Sequence, residues 1–71
     1  MITIYIKNID ASHEKIENFL NQLVKNNGWS LIKDTYTIKD ATEQQYEQIV
    51  EFEGKLKEEE GTTIFVKKNG L

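Results

Sequence analysis

A chain of 71 residues with no cysteine, no proline and one histidine reads as a single compact domain, 1–71, held by packing alone. Disulfides and thiolate chemistry are excluded, and a usual zinc site cannot be assembled from one histidine. At this size only about 60% of the unfolded surface is buried, which leaves room for one small core.

The net charge of −3 hides an uneven layout. Residues 1–39 carry five lysines against four acids, residues 40–60 eight acids against two lysines, and residues 61–71 two lysines. Arginine is absent. Its planar fork is the usual reader of guanine, so sequence-specific DNA reading is disfavoured. The opening MITIYIK is too briefly apolar for a signal peptide or a membrane span, and a soluble, cytoplasmic setting with no membrane contact is expected.

Residues 2–7 alternate, with Ile2, Ile4 and Ile6 to one side and Thr3, Tyr5 and Lys7 to the other, the pattern of a strand with one face in the core. A helix follows, capped by Ser12 or Asp10, with Ile16, Phe19, Leu20, Leu23 and Val24 as its apolar stripe. Asn27-Gly28 is its expected stop. Residues 29–39 read as extended. Trp29 and Leu31 share one face while Ile32, Tyr36 and Ile38 share the other, so a bulge or tight turn is expected near Lys33-Asp34.

Thr42-Glu43-Gln44-Gln45 fits a capping box and opens a second helix. Tyr46, Ile49, Val50 and Leu56 form its apolar stripe, with Phe52 at the edge and Gly61 as its stop. Glu53 falls beside that stripe and is expected to pack its stem and keep its head wet. Residues 62–67 alternate again, with Ile64 and Val66 inward and Thr63, Phe65 and Lys67 outward. The order βαβαβ predicts an α/β domain with a three-stranded sheet and two helices on one face. Splitting the middle strand into a hairpin gives the alternative, the ferredoxin-like βαββαβ plan. Eleven residues without an Asn-Gly or Asp-Gly pair favour the unsplit strand.

Two surfaces stand out. Asp40, Glu43, Glu47, Glu51 and Glu58 are spaced by three, four, four and seven, steps that fall on one helix face, where like charges four apart repel. Gly54 sits among them without a side chain. This row is a candidate docking surface for a basic protein partner, such as a nucleic-acid-handling enzyme whose phosphates the carboxylates would imitate. Its bland counterpart is a solvated helix face. The second surface is the open sheet face, carrying Thr3, Tyr5, Lys7, Thr63, Phe65 and Lys67. Aromatics interleaved with lysines on a bare sheet suit single-stranded nucleic acid, and the same patch suits a homodimer interface.

His13 has no second base or nucleophile near it in sequence, and a structural role is expected. Trp29 is expected to pack against the end of the first helix. No metal, cofactor or catalytic set is indicated, and a non-enzymatic protein-binding module is the leading expectation. In composition and size alone, the lysine-, glutamate-, isoleucine- and asparagine-rich makeup resembles small bacterial or phage regulators such as anti-CRISPR or anti-restriction proteins. That resemblance implies an inhibitor or adaptor that binds its target through the acidic row.

Overall fold

The computed structural model describes residues 1–25 and 28–70. The order is β1 (Ile2–Asn8), α1 (His13–Leu23), β2 (Ser30–Ile32), β3 (Thr35–Ala41), α2 (Glu43–Lys55) and β4 (Ile64–Gly70). A π-helical turn, Leu56–Glu60, continues α2 directly. The four strands form one antiparallel sheet in the order β2-β3-β1-β4. The α/β class therefore holds, but the sheet has four strands and not three. The middle segment is the hairpin of the βαββαβ alternative. A two-residue turn at Lys33-Asp34 separates Ile32 from its partner Thr35, and Lys33 takes the positive φ of +57° that a tight hairpin turn requires.

The alternation along β1 works as its sequence dictates. Ile2, Ile4 and Ile6 are buried, and they meet Ile16, Leu20, Ile38, Ile49, Leu56 and Ile64 in one core on the helix side of the sheet. Phe19 of α1 stacks on Phe52 of α2, ring centroids 4.1 Å apart, and bridges the two helices. Trp29 packs its ring edge against Tyr36 and donates from Nε1 to Asn21 on α1 at 2.9 Å. Ile32, grouped by sequence with Tyr36 and Ile38, is a correction. The turn at Lys33-Asp34 resets the phase, so Ile32 pairs with Thr35 on the open face and is 71% exposed.

The ends of the helices are fixed by side chains. Ser12, not Asp10, caps α1 by accepting from the Lys15 amide, while Asp10 accepts from the Thr63 amide at 2.7 Å. Gly28, at φ +68°, donates to the Val24 carbonyl. Asn27, the other half of the expected stop, lies outside the described residues. The Thr42 capping box is complete, with both the Gln45 amide and the Gln45 side chain engaged at 3.0 Å. Gly61 ends the π-helical turn at φ +67°, the left-handed stop position.

Asn8 is the one buried polar side chain among the described residues. Its Oδ1 accepts from the Ala11 amide and its Nδ2 donates to the Ala11 carbonyl. Both halves of the amide are thereby satisfied, and the link from β1 to α1 is pinned.

Candidate functional site

The open face of the sheet can be built row by row from the strand registers. Lys7 on β1 lies between Thr35 on β3 and Phe65 on β4, and Thr35 in turn pairs with Ile32 on β2. One step along, Tyr5 lies between Thr37 and Lys67, with Ser30 beyond Thr37. The two rows read Ile32-Thr35-Lys7-Phe65 and Ser30-Thr37-Tyr5-Lys67. They hold two lysines, two aromatics and four hydroxyl or aliphatic side chains, and the Asp34 carboxylate accepts from the Thr35 hydroxyl at 3.2 Å at the turn beside them. Thr3 pairs with Asn69 one step further on. Lys39 lines a shallow pocket with Trp29, Ser30 and Thr37.

Each aromatic thus has a lysine as its direct neighbour across the strand pair. Tyr5 and Phe65 are diagonal neighbours, a relation that places side chains about 7–8 Å apart on a sheet face. Phe65 is 59% exposed, and Tyr5, enclosed between two strands, is half-buried. Thr63 precedes β4. Its carbonyl accepts from the Ile9 and Asp10 amides, so its backbone anchors the β1–α1 link.

The acidic row is only partly what its spacing implied. Asp40 is not on the helix. It lies in β3, at φ +57°, where the register between β1 and β3 slips because the two residues Lys39 and Asp40 face Thr3 alone. Such a bulge is a place where Asp tolerates the left-handed region. Glu43, Glu47 and Glu51 are on α2 and exposed. Glu58 is exposed on the π-helical turn.

Glu43 is already engaged. Lys68 on β4 donates to it at 2.8 Å and sits 4.7 Å above the Tyr46 ring. The hydrogen bond to Glu43 comes first among the causes that raise the Lys68 pKa above its ordinary value. On α2 the exposed Glu47 and Glu51 follow the engaged Glu43, with Gly54 one turn beyond Glu51. Glu53 is half-buried and lines a groove with Val50, Gly54 and Lys57.

A third cluster was not foreseen. The Tyr36 side chain is fully buried, and its hydroxyl donates to Glu17 at 2.9 Å while His13 Nδ1 approaches it at 2.6 Å. With the phenol proton directed to Glu17, His13 Nδ1 is the donor to the phenol oxygen. Burial first, and then the hydrogen bond and charge of Glu17, push the phenol well above its ordinary pKa of 10.0. His13 and Glu17 are four apart on α1, a spacing visible in the sequence. Their shared target lies across the core, and that requires the fold. The cluster seals a buried hydroxyl.

Among the described residues, no group of three or more His, Cys, Asp or Glu side chains is placed to hold a metal ion. No helix among them is long and apolar enough to cross a membrane. Comparison of the chain with protein-family models, with curated proteins and with solved structures finds no match in any of the three.

Proposed function

We propose that this chain is a small, non-enzymatic cytoplasmic binding protein that takes single-stranded nucleic acid on its open sheet face. The observation that carries the reading is the pairing of Lys7 with Phe65 and of Tyr5 with Lys67 across β1 and β4, in rows without an acidic residue of their own, although Asp34 accepts from the Thr35 hydroxyl beside them, in a chain of net charge −3. Aromatic rings give sequence-tolerant stacking platforms, and lysines beside them meet the phosphates. The threonine hydroxyls of β3 add donors and acceptors. Glu43, Glu47 and Glu51 lie on α2, in the layer on the other side of the core. The four-stranded βαββαβ plan supports the same reading by fold analogy alone.

Lysine in place of arginine predicts binding that is weak, salt-sensitive and indifferent to sequence. The test is anisotropy of a labelled single-stranded oligonucleotide at low salt. Tyr5→Ala and Phe65→Ala are each expected to weaken binding by about 1–3 kcal/mol. Lys7→Ala and Lys67→Ala are each expected to flatten the salt dependence by about 0.7 in log–log slope. No binding at low salt, where phosphate attraction is strongest, overturns the reading.

A second reading keeps the acidic face as a dock for a lysine- and arginine-rich protein, with the chain acting as an inhibitor or adaptor. One observation favours it: Glu47 and Glu51 are exposed one turn apart on α2, beside a glycine with open space around it. It predicts that Glu47→Lys with Glu51→Lys abolishes capture of a basic protein from lysate while oligonucleotide binding persists. Unchanged capture removes it.

A further inference from the structure

Nothing inside the chain requires a glycine at position 54. A Cβ there meets no atom within 4 Å, and alanine would favour the helix by about 1 kcal/mol. Gly54 lines, with Val50, Glu53, Lys57, Ile64 and Phe65, a groove between α2 and β4. The opposite side of α2 is occupied, since Phe52 stacks on Phe19 and Gln45 donates to the Leu23 carbonyl. On the groove side, Val50 and Phe65 stay exposed.

The groove runs along an open sheet edge, because β4 is an outermost strand. The Asn8 amide bonds towards β3, to Asp34, and the Ile9 amide towards β4, to Thr63. Alternation along an antiparallel ladder then directs Lys7 and Tyr5 to Phe65 and Lys67. The backbone groups of Ile64, Val66 and Lys68 consequently face outward. A seven-residue edge without proline is a ready template for another strand.

We propose that a second copy of this chain docks here, its β4 pairing antiparallel with the first about a two-fold axis near Phe65, to form a continuous eight-stranded sheet. Separate features of the surface meet on that one axis. Lys68 lies beside Glu43 and Tyr46, and the Ile64–Phe65 stretch of β4 borders the groove that Val50 and Gly54 line. An axis near Phe65 therefore also crosses α2 between Val50 and Gly54.

The helices of the two copies then run antiparallel, with Val50 of each facing Gly54 of the other. The same offset sets Lys57 of each copy against Glu47 of the other, a self-complementary charge pairing of the kind an isologous interface requires. On the strands it pairs Ile64 of one copy with Val66 of the other, whose outward backbone groups are in phase to bond. Spacing agrees as well. Strands about 4.8 Å apart give one helix per two strands, so the two α2 helices lie about 10 Å apart, a distance that Gly54 suits.

The dimer pairs the sheet edges and not the faces, although Phe65 lies both on the axis and on the open face. It does bring both open faces to one side. Sedimentation equilibrium on the full chain tests it, with the wild type expected to be a dimer at high micromolar concentration. Gly54→Gln places its Cβ where nothing lies within 4 Å in the single chain and is expected to keep the helical circular dichroism while raising the dimer Kd by about 30-fold or more. Lys57→Glu is expected to weaken association and Lys57→Glu with Glu47→Lys to restore it, a comparison independent of helix propensity. A wild type that stays monomeric at millimolar concentration overturns the proposal. So does a folded Gly54→Gln that associates as tightly as the wild type, or a charge-swapped pair that fails to recover.

Discussion

Replacing Tyr36 with phenylalanine should reverse its own effect on stability as the pH rises. Tyr36 is fully buried, and its hydroxyl donates to Glu17 against His13. At neutral pH, Tyr36→Phe loses those hydrogen bonds, while exposed His13 and half-buried Glu17 turn to water, a net loss of about 1 kcal/mol. Burial and Glu17 hold the phenol well above its ordinary 10.0, whereas in the unfolded chain it ionises near that value. Above pH 10 the unfolded state releases a proton that the folded state keeps, so this group's contribution falls as pH rises. The fall is about 1.4 kcal/mol per pH unit. The wild type is therefore the more stable protein at neutral pH and the less stable one by about pH 11. Urea unfolding followed by fluorescence of Trp29, which packs against this ring, measures the difference. Taking the difference between the two proteins at each pH cancels the contributions common to both. A stability difference that stays constant up to about pH 11 would refute the argument that the phenol is held protonated.

Other changes test the scaffold. Gly54→Ala, measured at concentrations dilute enough for the single chain, should stabilise it by about 1 kcal/mol in denaturant titration, since the added methyl meets nothing. Thr42→Ala removes the cap of α2 and should lower unfolding free energy by about 1 kcal/mol. Lys33→Gly relieves the positive φ of the hairpin turn and should raise stability by roughly 0.5–1 kcal/mol. A loss on Lys33→Gly would show that the Lys33 side chain contributes more than its backbone conformation costs.

The elements with strong local signals were legible in the sequence. The alternation of Ile2, Ile4 and Ile6, the capping box at Thr42 and the stop at Gly61 each follow from neighbours a few residues away. The turn at Lys33-Asp34 was placed correctly by the change of phase. Splitting the segment there into two strands, the alternative βαββαβ plan, is only weakly signalled because β2, before the turn, is three residues long and exposed throughout, and because the turn uses a lysine where glycine or asparagine is the usual signal. Counting spacings carried Asp40 onto α2, whereas a bulge opposite Thr3 holds it in β3. No local signal marks the π-helical turn at Leu56–Glu60. The sheet-face pairs of the candidate site were implied by alternation. Which lysine lies beside which aromatic required the register. The engagement of Glu43 by Lys68 and of Tyr36 by His13 and Glu17 joins residues 19 to 25 positions apart, which only the fold brings together.

The central claim is that the bare sheet, not the acidic helix, is the face that meets a single-stranded nucleic acid. Amide chemical-shift mapping of the isotope-labelled chain, titrated with a single-stranded oligonucleotide at low salt, addresses it residue by residue. Progressive, salt-reversible shifts are expected at Tyr5, Lys7, Thr37, Phe65 and Lys67, with α2 left unmoved. Shifts confined to Glu47, Glu51 and their neighbours on α2, or a spectrum that does not change, would contradict it.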